Sequence, residues 1–251
     1  MDIKLGFLLS FIAGISTLIG SIFIFFITDK KEKIIISSLA FAAGVMSFVS
    51  LVDLIPESFK ILNKTYNNVF SLINILLFVV IGIILSILID KLLPNNISEN
   101  KNKNLYRVGI FSMIAIIIHN IPEGIATFLT TTSNLNLGLK LTIAIALHNI
   151  PEGISISLPI YYATKNKTKA FFYTFVSAIS EPFGALICYL FIGPYVNQIF
   201  LGFLFSIISG IMIYISLYEL LKESFSYNKK FLTLVFYLIG TFFAIFNSIL
   251  F

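Results

Sequence analysis

The sequence predicts an all-α, polytopic membrane protein of eight transmembrane helices, built as an inverted repeat. Three observations predict it. The 251 residues are 58% apolar with a mean hydropathy of +0.98, far above the values of soluble domains. Apolar runs long enough to cross a bilayer core about 30 Å thick recur from end to end. Basic residues are segregated between alternate connectors, as the positive-inside rule requires of a polytopic chain.

The expected spans are 5–28, 34–60, 70–92, 106–132, 138–162, 169–192, 197–222 and 230–251, forming one transmembrane domain over residues 1–251. The first has no small-residue cleavage site and is long enough to span, so it reads as a retained helix. Its Gly6, Ser10, Gly14, Thr17 and Ser21 make a stripe suited to close helix approach. The second carries Asp53 and Glu57 near one end. After the third comes the longest connector, 93–105, rich in Asn and Lys and without the length of a soluble domain.

The fourth and fifth spans hold the most unusual feature of the chain. His119-Asn120-Ile121-Pro122-Glu123-Gly124 is repeated as His148-Asn149-Ile150-Pro151-Glu152-Gly153, and these contain the only two histidines. The sixth span carries Glu181 before Pro182. It also holds the single cysteine, Cys188, which reads as packing and rules out an internal disulfide. The seventh repeats the second: Ala43–Ser58 matches Ser209–Ser224 with seven identities in sixteen positions. Spans two and seven are five apart and so cross in opposite senses, as do four and five, which is the mark of inverted repeats with a site near the midplane.

Thirteen of the seventeen basic residues lie at the connectors after spans one, three, five and seven; the others are Lys4, Lys60, Lys64 and Lys140. That bias places the odd-numbered connectors in the cytoplasm and both termini outside. The formal charge of +5 therefore reflects topology and does not point to nucleic acid.

Within each hexapeptide, His and Glu are at i and i+4 and share a helix face. Each proline removes a donor and frees the carbonyl of Ile118 or Leu147, and the following glycine weakens the helix further, so broken helices with loosened carbonyls are expected there. His119 lies roughly 12 residues, at about 1.5 Å each, from its span end, and His148 and Glu181 are comparably deep. Neither Glu123, Glu152 and Glu181 nor the shallower Asp53 and Glu219 have a lysine or arginine at matching depth in the sequence. Ionised carboxylates there require a cation, or must stay protonated. Two imidazoles with carboxylates suit a borderline divalent transition metal: Zn²⁺ first, then Fe²⁺, Mn²⁺, Co²⁺ or Cd²⁺. The metal is cargo, and no cofactor is expected. Asp53, Glu57, Glu219 and Glu223 read equally as parts of an ion path or as ordinary span ends.

The doubled hexapeptide, Ser180-Glu181-Pro182-Phe183-Gly184-Ala185 and the Ala43–Ser58 segment resemble the ZIP (Zrt/Irt-like) divalent metal transporters, close to the GufA/ZupT-type branch. The resemblance covers essentially the whole chain. It implies a 3+2+3 bundle, a binuclear centre midway through the membrane, a homodimer, and a multi-pass protein of a bacterial-type plasma (inner) membrane. By motif position, His119, Glu123, His148 and Glu152 would hold the primary ion. Asn120, Asn149 and Glu181, with Glu123 and Glu152 bridging, would hold the second, and Asp53 would lie where some members add a ligand. It also implies elevator-like movement of spans one, four, five and six against two, three, seven and eight. One departure is that connector 93–105 has no histidine, whereas many members carry a histidine-rich loop there.

The expected function is uptake of a divalent metal from outside to cytoplasm. The rival is a proton-coupled cation exchanger using the same carboxylates. An intramembrane metalloprotease fits poorly: zincins place two histidines and a glutamate on one helix as His-Glu-x-x-His, whereas each helix here offers one histidine, with its glutamate a turn away behind a proline.

Overall fold

A computed structural model describes residues 2–26, 32–92, 101–192 and 198–250. Eight helices in it are long and apolar enough to cross a membrane. They are α1 (Ile3–Phe26), α2 (Glu32–Leu62), α3 (Asn68–Leu92), α4 (Asn102–Ser133), α5 (Leu135–Thr164), α6 (Lys167–Phe191), α7 (Ile199–Ser226) and α8 (Lys230–Leu250). Among the described residues there is no strand. Most of the 93–105 connector lies outside the described residues. Its last part does not: the helix already runs at Asn102, because Leu105 and Val108 are buried in the core and packing carries α4 beyond its apolar run.

Short polar punctuation turns the chain between helices. Asn134 is the single residue between α4 and α5, and its side chain caps α5 by accepting from the Leu137 amide at 3.2 Å. After α5, Lys165 adopts a left-handed conformation (φ 57°), and Asn166 then caps α6 through the Lys169 amide at 2.8 Å. Asparagine is among the best residues for satisfying the open donors of a first turn.

The helices form two groups. In one, α1, α4, α5 and α6 pack on one another; in the other, α2 pairs with α8 and α3 with α7, and α2 also meets α7. The groups meet chiefly where α2 lies on α5 and α4 on α7. Glycine sets the closest crossings, since small residues let helix backbones approach without a side chain between them. A Cβ on Gly124 (α4) would overlap the carbonyl oxygen of Glu181 (α6), and one on Gly184 (α6) would overlap that of Ile121 (α4). The same reciprocal pattern joins α5 to α1, through Gly153 against Thr17 and Gly20 against Ile150. It recurs between α2 and α8 (Gly44 on Tyr237, Gly240 on Phe41) and between α7 and α3 (Gly210 on Val79, Gly82 on Ile207).

These crossings occur as equivalent pairs. Ile121 and Ile150 hold the same place in the hexapeptide, and Gly44 aligns with Gly210 in the longer repeat. The equivalences therefore run α1 with α6, α2 with α7, α3 with α8 and α4 with α5, which is the inverted repeat realised as close packing. A further pair supports it: α2 and α7 each pass through a π-helical stretch at matching positions, Val49–Leu54 and Ile215–Leu221, the first containing Asp53 and the second Glu219.

The expectation of broken helices at the two hexapeptides is corrected. Pro122, Pro151 and Pro182 all lie inside continuous helices. Each costs its helix one hydrogen bond, but the flanking turns are long and packed on both sides, and the following glycine serves the crossing with α6 or α1. Among the described residues, the departures from regular α-helix fall instead at three π stretches, the two above and Cys188–Ile192.

Candidate metal centre

Because α4 and α5 are joined by one residue and run back alongside each other, their hexapeptides meet in the interior. The contact is crossed. His119 Nε2 lies 3.0 Å from Glu152 Oε1, and His148 Nε2 lies 3.3 Å from Glu123 Oε1. The i, i+4 spacing puts each His beside its own Glu, yet the hydrogen bond goes to the Glu of the other helix. All four side chains are buried, from 0% exposure for His119 and Glu152 to 7% for His148.

The asparagines and Glu181 form a second tier. Asn149 Nδ2 donates to Glu181 Oε2 at 2.9 Å and to the carbonyl of Ala13 at 3.0 Å. Asn120 Nδ2 donates to the carbonyl of Ser177 at 3.4 Å. Both amides therefore spend their donors on neighbouring helices and leave their oxygens free. Asn120 Oδ1, Asn149 Oδ1, Glu123 Oε2, Glu152 Oε2 and Glu181 Oε1 are buried and make no hydrogen bond, nor does His119 Nδ1. Five buried acceptor oxygens on α4, α5 and α6 are thus without a donor. An unsatisfied buried acceptor costs about 1–3 kcal/mol, and more when charged, so five together form an environment that favours a cation.

No basic side chain relieves this. Among the described residues, Glu123 and Glu152 have only the histidines as ionic partners, and Glu181 has none. The side chains are engaged two by two, and among the described residues no three His, Cys, Asp or Glu side chains are gathered around one point for an ion. Chemically, the arrangement offers two imidazoles, three carboxylates and two amide oxygens, without thiolate. That donor set fits a borderline divalent cation and lacks the closed cysteine cage of a structural zinc site.

The other acids behave differently. Asp53 stands on the π stretch of α2, half-buried, and accepts from Ser248 of α8 at 2.8 Å. It does not join the paired cluster of His119, Glu123, His148 and Glu152. Glu57 forms an exposed pair with Lys60 at 3.2 Å. The expectation that Glu219 lacks a basic partner is overturned: Arg107 Nη1 of α4 lies 3.6 Å from Glu219 Oε2, and Arg107 also pairs with Asp90 of α3. Tyr214 donates to the same Asp90 at 3.3 Å. Depth counted along the sequence places a Cα, whereas the long arginine side chain carries its charge into the bundle.

The chain is similar to known proteins over nearly its whole length. Residues 3–107 and 98–248 match the family described as "ZIP Zinc transporter". The "Zinc transporter ZupT" of Streptococcus mutans is 41% identical over 240 residues, covering 91% of this chain and 90% of its own length. Those of Clostridium perfringens (38% identical; 93% and 91% covered) and Campylobacter jejuni (36%; 91% and 90%) are similar over the same extent. With eight spanning helices, the doubled hexapeptide and a family match along nearly its whole length, the chain belongs to the ZIP family of transporters.

Proposed function

We propose that this protein carries divalent transition metal ions, zinc foremost, from outside the cell into the cytoplasm across a bacterial-type plasma membrane. The observation that carries the reading is the set of five unpaired, buried acceptor oxygens beside two crossed His–Glu pairs, with no lysine or arginine among them. His119, Glu123, His148 and Glu152 hold one ion once their pairs part. Asn120, Asn149 and Glu181 hold a second, with Glu123 and Glu152 shared. Iron, manganese, cobalt and cadmium fit the same donors, since such a site selects by geometry and availability more than by raw affinity. Mixed imidazole, carboxylate and amide ligands bind loosely enough to release the ion. Asp53, at the α2–α8 end of the path, attracts the cation toward His148.

The division into two helix groups supports a mechanism in which α1, α4, α5 and α6 carry the ion past α2, α3, α7 and α8 as a unit, in a chain that works as a homodimer. Internal crossings are sealed by glycine, and the faces between groups are the ones free to slide.

One observation favours a second reading, exchange of metal for protons. Each His–Glu contact shares a proton that an ion binding at Nε2 displaces, either to Nδ1 of the same ring or out of the site, and the second route is exchange of metal for protons. Uptake of zinc into proteoliposomes, with competing metals and with or without a pH gradient, tests both readings. Zinc accumulation that is lost in Glu123→Gln supports transport, rates set by the pH gradient at fixed zinc support exchange, and wild-type vesicles that take up no divalent metal refute both.

A further inference from the structure

The pseudo-twofold that relates the helix crossings assigns a residue to the metal site that the hexapeptides do not reveal. The crossing of α4 with α6 uses Gly124 against Glu181 and Gly184 against Ile121; that of α5 with α1 uses Gly153 against Thr17 and Gly20 against Ile150. Glu181 and Thr17 therefore hold equivalent places. The hydrogen bonds agree independently: Asn120 donates to the carbonyl of Ser177, four residues before Glu181, and Asn149 donates to that of Ala13, four residues before Thr17. The operation that carries Glu181 onto Thr17 also carries its partner Asn149 onto Asn120, whose oxygen makes no hydrogen bond.

Thr17 is one of seven buried helical serine and threonine hydroxyls without a hydrogen bond among the described residues, with Ser71, Ser112, Thr127, Thr131, Ser157 and Ser177, and for Thr17 the structure shows a specific cause. A buried helical serine or threonine ordinarily bonds the carbonyl one turn back. Ser10 does so to Gly6 at 3.0 Å, Thr142 to Gly138 at 2.7 Å and Thr174 to Ala170 at 3.0 Å. For Thr17 that carbonyl belongs to Ala13, which already accepts from Ser16 Oγ at 2.6 Å and from Asn149 Nδ2 at 3.0 Å. Inside the helix it also takes the main-chain N–H of Thr17 itself, so three donors already converge on an oxygen with two lone pairs. Thr17 is 0% exposed and its Oγ1 makes no hydrogen bond. A buried hydroxyl costs stability when unpaired, and the carbonyl it would ordinarily use is occupied by Ser16 and by Asn149 of the site.

We propose that Thr17 is a further ion-binding residue of this transporter, its hydroxyl being the uncharged counterpart of Glu181, an oxygen donor that with Asn120 completes the wall of the cation site formed by α1. This rests on the proposed function of the same site. It makes the two tiers unequal by design: one wall is anionic and the other neutral, which spares the site a fourth buried carboxylate.

The test compares wild type, T17V, T17S and E152Q in zinc uptake by proteoliposomes over a range of zinc concentrations, together with zinc titration calorimetry and thermal melting of the detergent-solubilised chain. T17V keeps the shape of threonine without its hydroxyl. Zinc binding and KM are expected to weaken about tenfold, the effect of losing one hydrogen-bond-strength contact to a charged partner. Melting without metal should not fall, because no hydrogen bond of the fold is lost, and T17S should restore affinity. A second pair uses the symmetry directly: E181T should weaken zinc binding, and T17E/E181T should recover part of it by moving the carboxylate to the equivalent wall. If T17V binds and transports zinc as wild type does while E152Q does not, this inference fails alone. It fails likewise if T17S is as impaired as T17V, or if T17V melts lower, either of which would make Thr17 a packing residue. A wild type that neither binds nor moves zinc overturns the proposed function and this inference with it.

Discussion

Replacing Glu152 with glutamine separates a ligand from a structural residue, because the two roles predict opposite signs. Glu152 is fully buried; Oε1 faces His119 Nε2 at 3.0 Å and Oε2 makes no hydrogen bond. Glutamine keeps the size and a hydrogen bond to His119 while removing one negative charge. Without metal, the variant loses a buried carboxylate that lacks full compensation, so the fold should be no less stable and should gain about 1–3 kcal/mol. With metal, it loses a charge–charge attraction. At about 4 Å and an effective dielectric near 20, even a unit pair is worth about 4 kcal/mol, so zinc affinity should fall by about a thousandfold. The assays are thermal melting in detergent without metal, zinc titration calorimetry, and zinc uptake by proteoliposomes. Glu152→Gln should melt at or above the wild-type temperature and show neither zinc binding in the micromolar range nor uptake. Wild-type zinc affinity in a folded variant would refute the assignment. A variant that melts well below wild type without metal would show that Glu152 holds α5 to α4 through His119 instead.

Gly124→Ala and Gly153→Ala each place a Cβ against a backbone carbonyl that cannot swing away, of Glu181 and Thr17 respectively. Each should lower stability by about 1–3 kcal/mol, read as the midpoint of thermal or denaturant unfolding in detergent. Arg107→Met leaves Asp90 and Glu219 in the bundle without their shared counter-charge. Breaking such a buried group from one side costs about 3–5 kcal/mol, and the triple variant R107M/D90N/E219Q should regain most of the lost melting temperature. Glu57→Gln, by contrast, removes an exposed pair with Lys60. It should change unfolding by less than about 1 kcal/mol, which makes it a control for the others.

The eight helices were legible because hydropathy over a span length is a strong signal, and the alternation of basic connectors reports how many times the chain crosses. The doubled hexapeptide announced His119, Glu123, His148 and Glu152, and Glu181 followed from depth and charge. What escaped was whatever depends on where a side chain ends. The i, i+4 spacing places His119 near Glu123, but the hydrogen bond to Glu152 depends on how α4 and α5 pack. Arg107 looked like a connector residue until its side chain was traced to Glu219 and Asp90. The prolines promised broken helices, because local chemistry does not register that long packed flanks hold a helix straight through one lost hydrogen bond. The equivalence of α1 and α6 was hidden for a different reason: Thr17 and Glu181 share no chemistry, and only their matched glycine crossings relate them. Gly20 and Gly184 were the available signal, each three residues after the residue in question.

That equivalence bears on how a nearly symmetric site operates. Two oppositely directed halves offering identical ligands would present an ion with the same surroundings from either side, and neither orientation of the loaded site would be favoured. Under the proposed function, the gradient fixes the direction of net flux, but the balance between orientations must come from residues that break the symmetry. The structure has two such places. At the proposed site, Thr17 stands where the pseudo-twofold places Glu181 on the other half, so an ion there would be held more strongly on the α6 side. At two of the π stretches, Asp53 accepts from Ser248 and has no ion pair among the described residues, whereas its counterpart Glu219 shares with Asp90 of its own helix group one counter-charge, Arg107, which reaches both from the other group. On the proposed path, one end would therefore keep a carboxylate to attract a cation, and the other ties its carboxylates to an arginine carried on the same helix as His119. Under the proposed mechanism, movement of α4 relative to α3 and α7 would have to part Arg107 from Asp90 and Glu219, which would couple loading of the site to opening of that end through one helix.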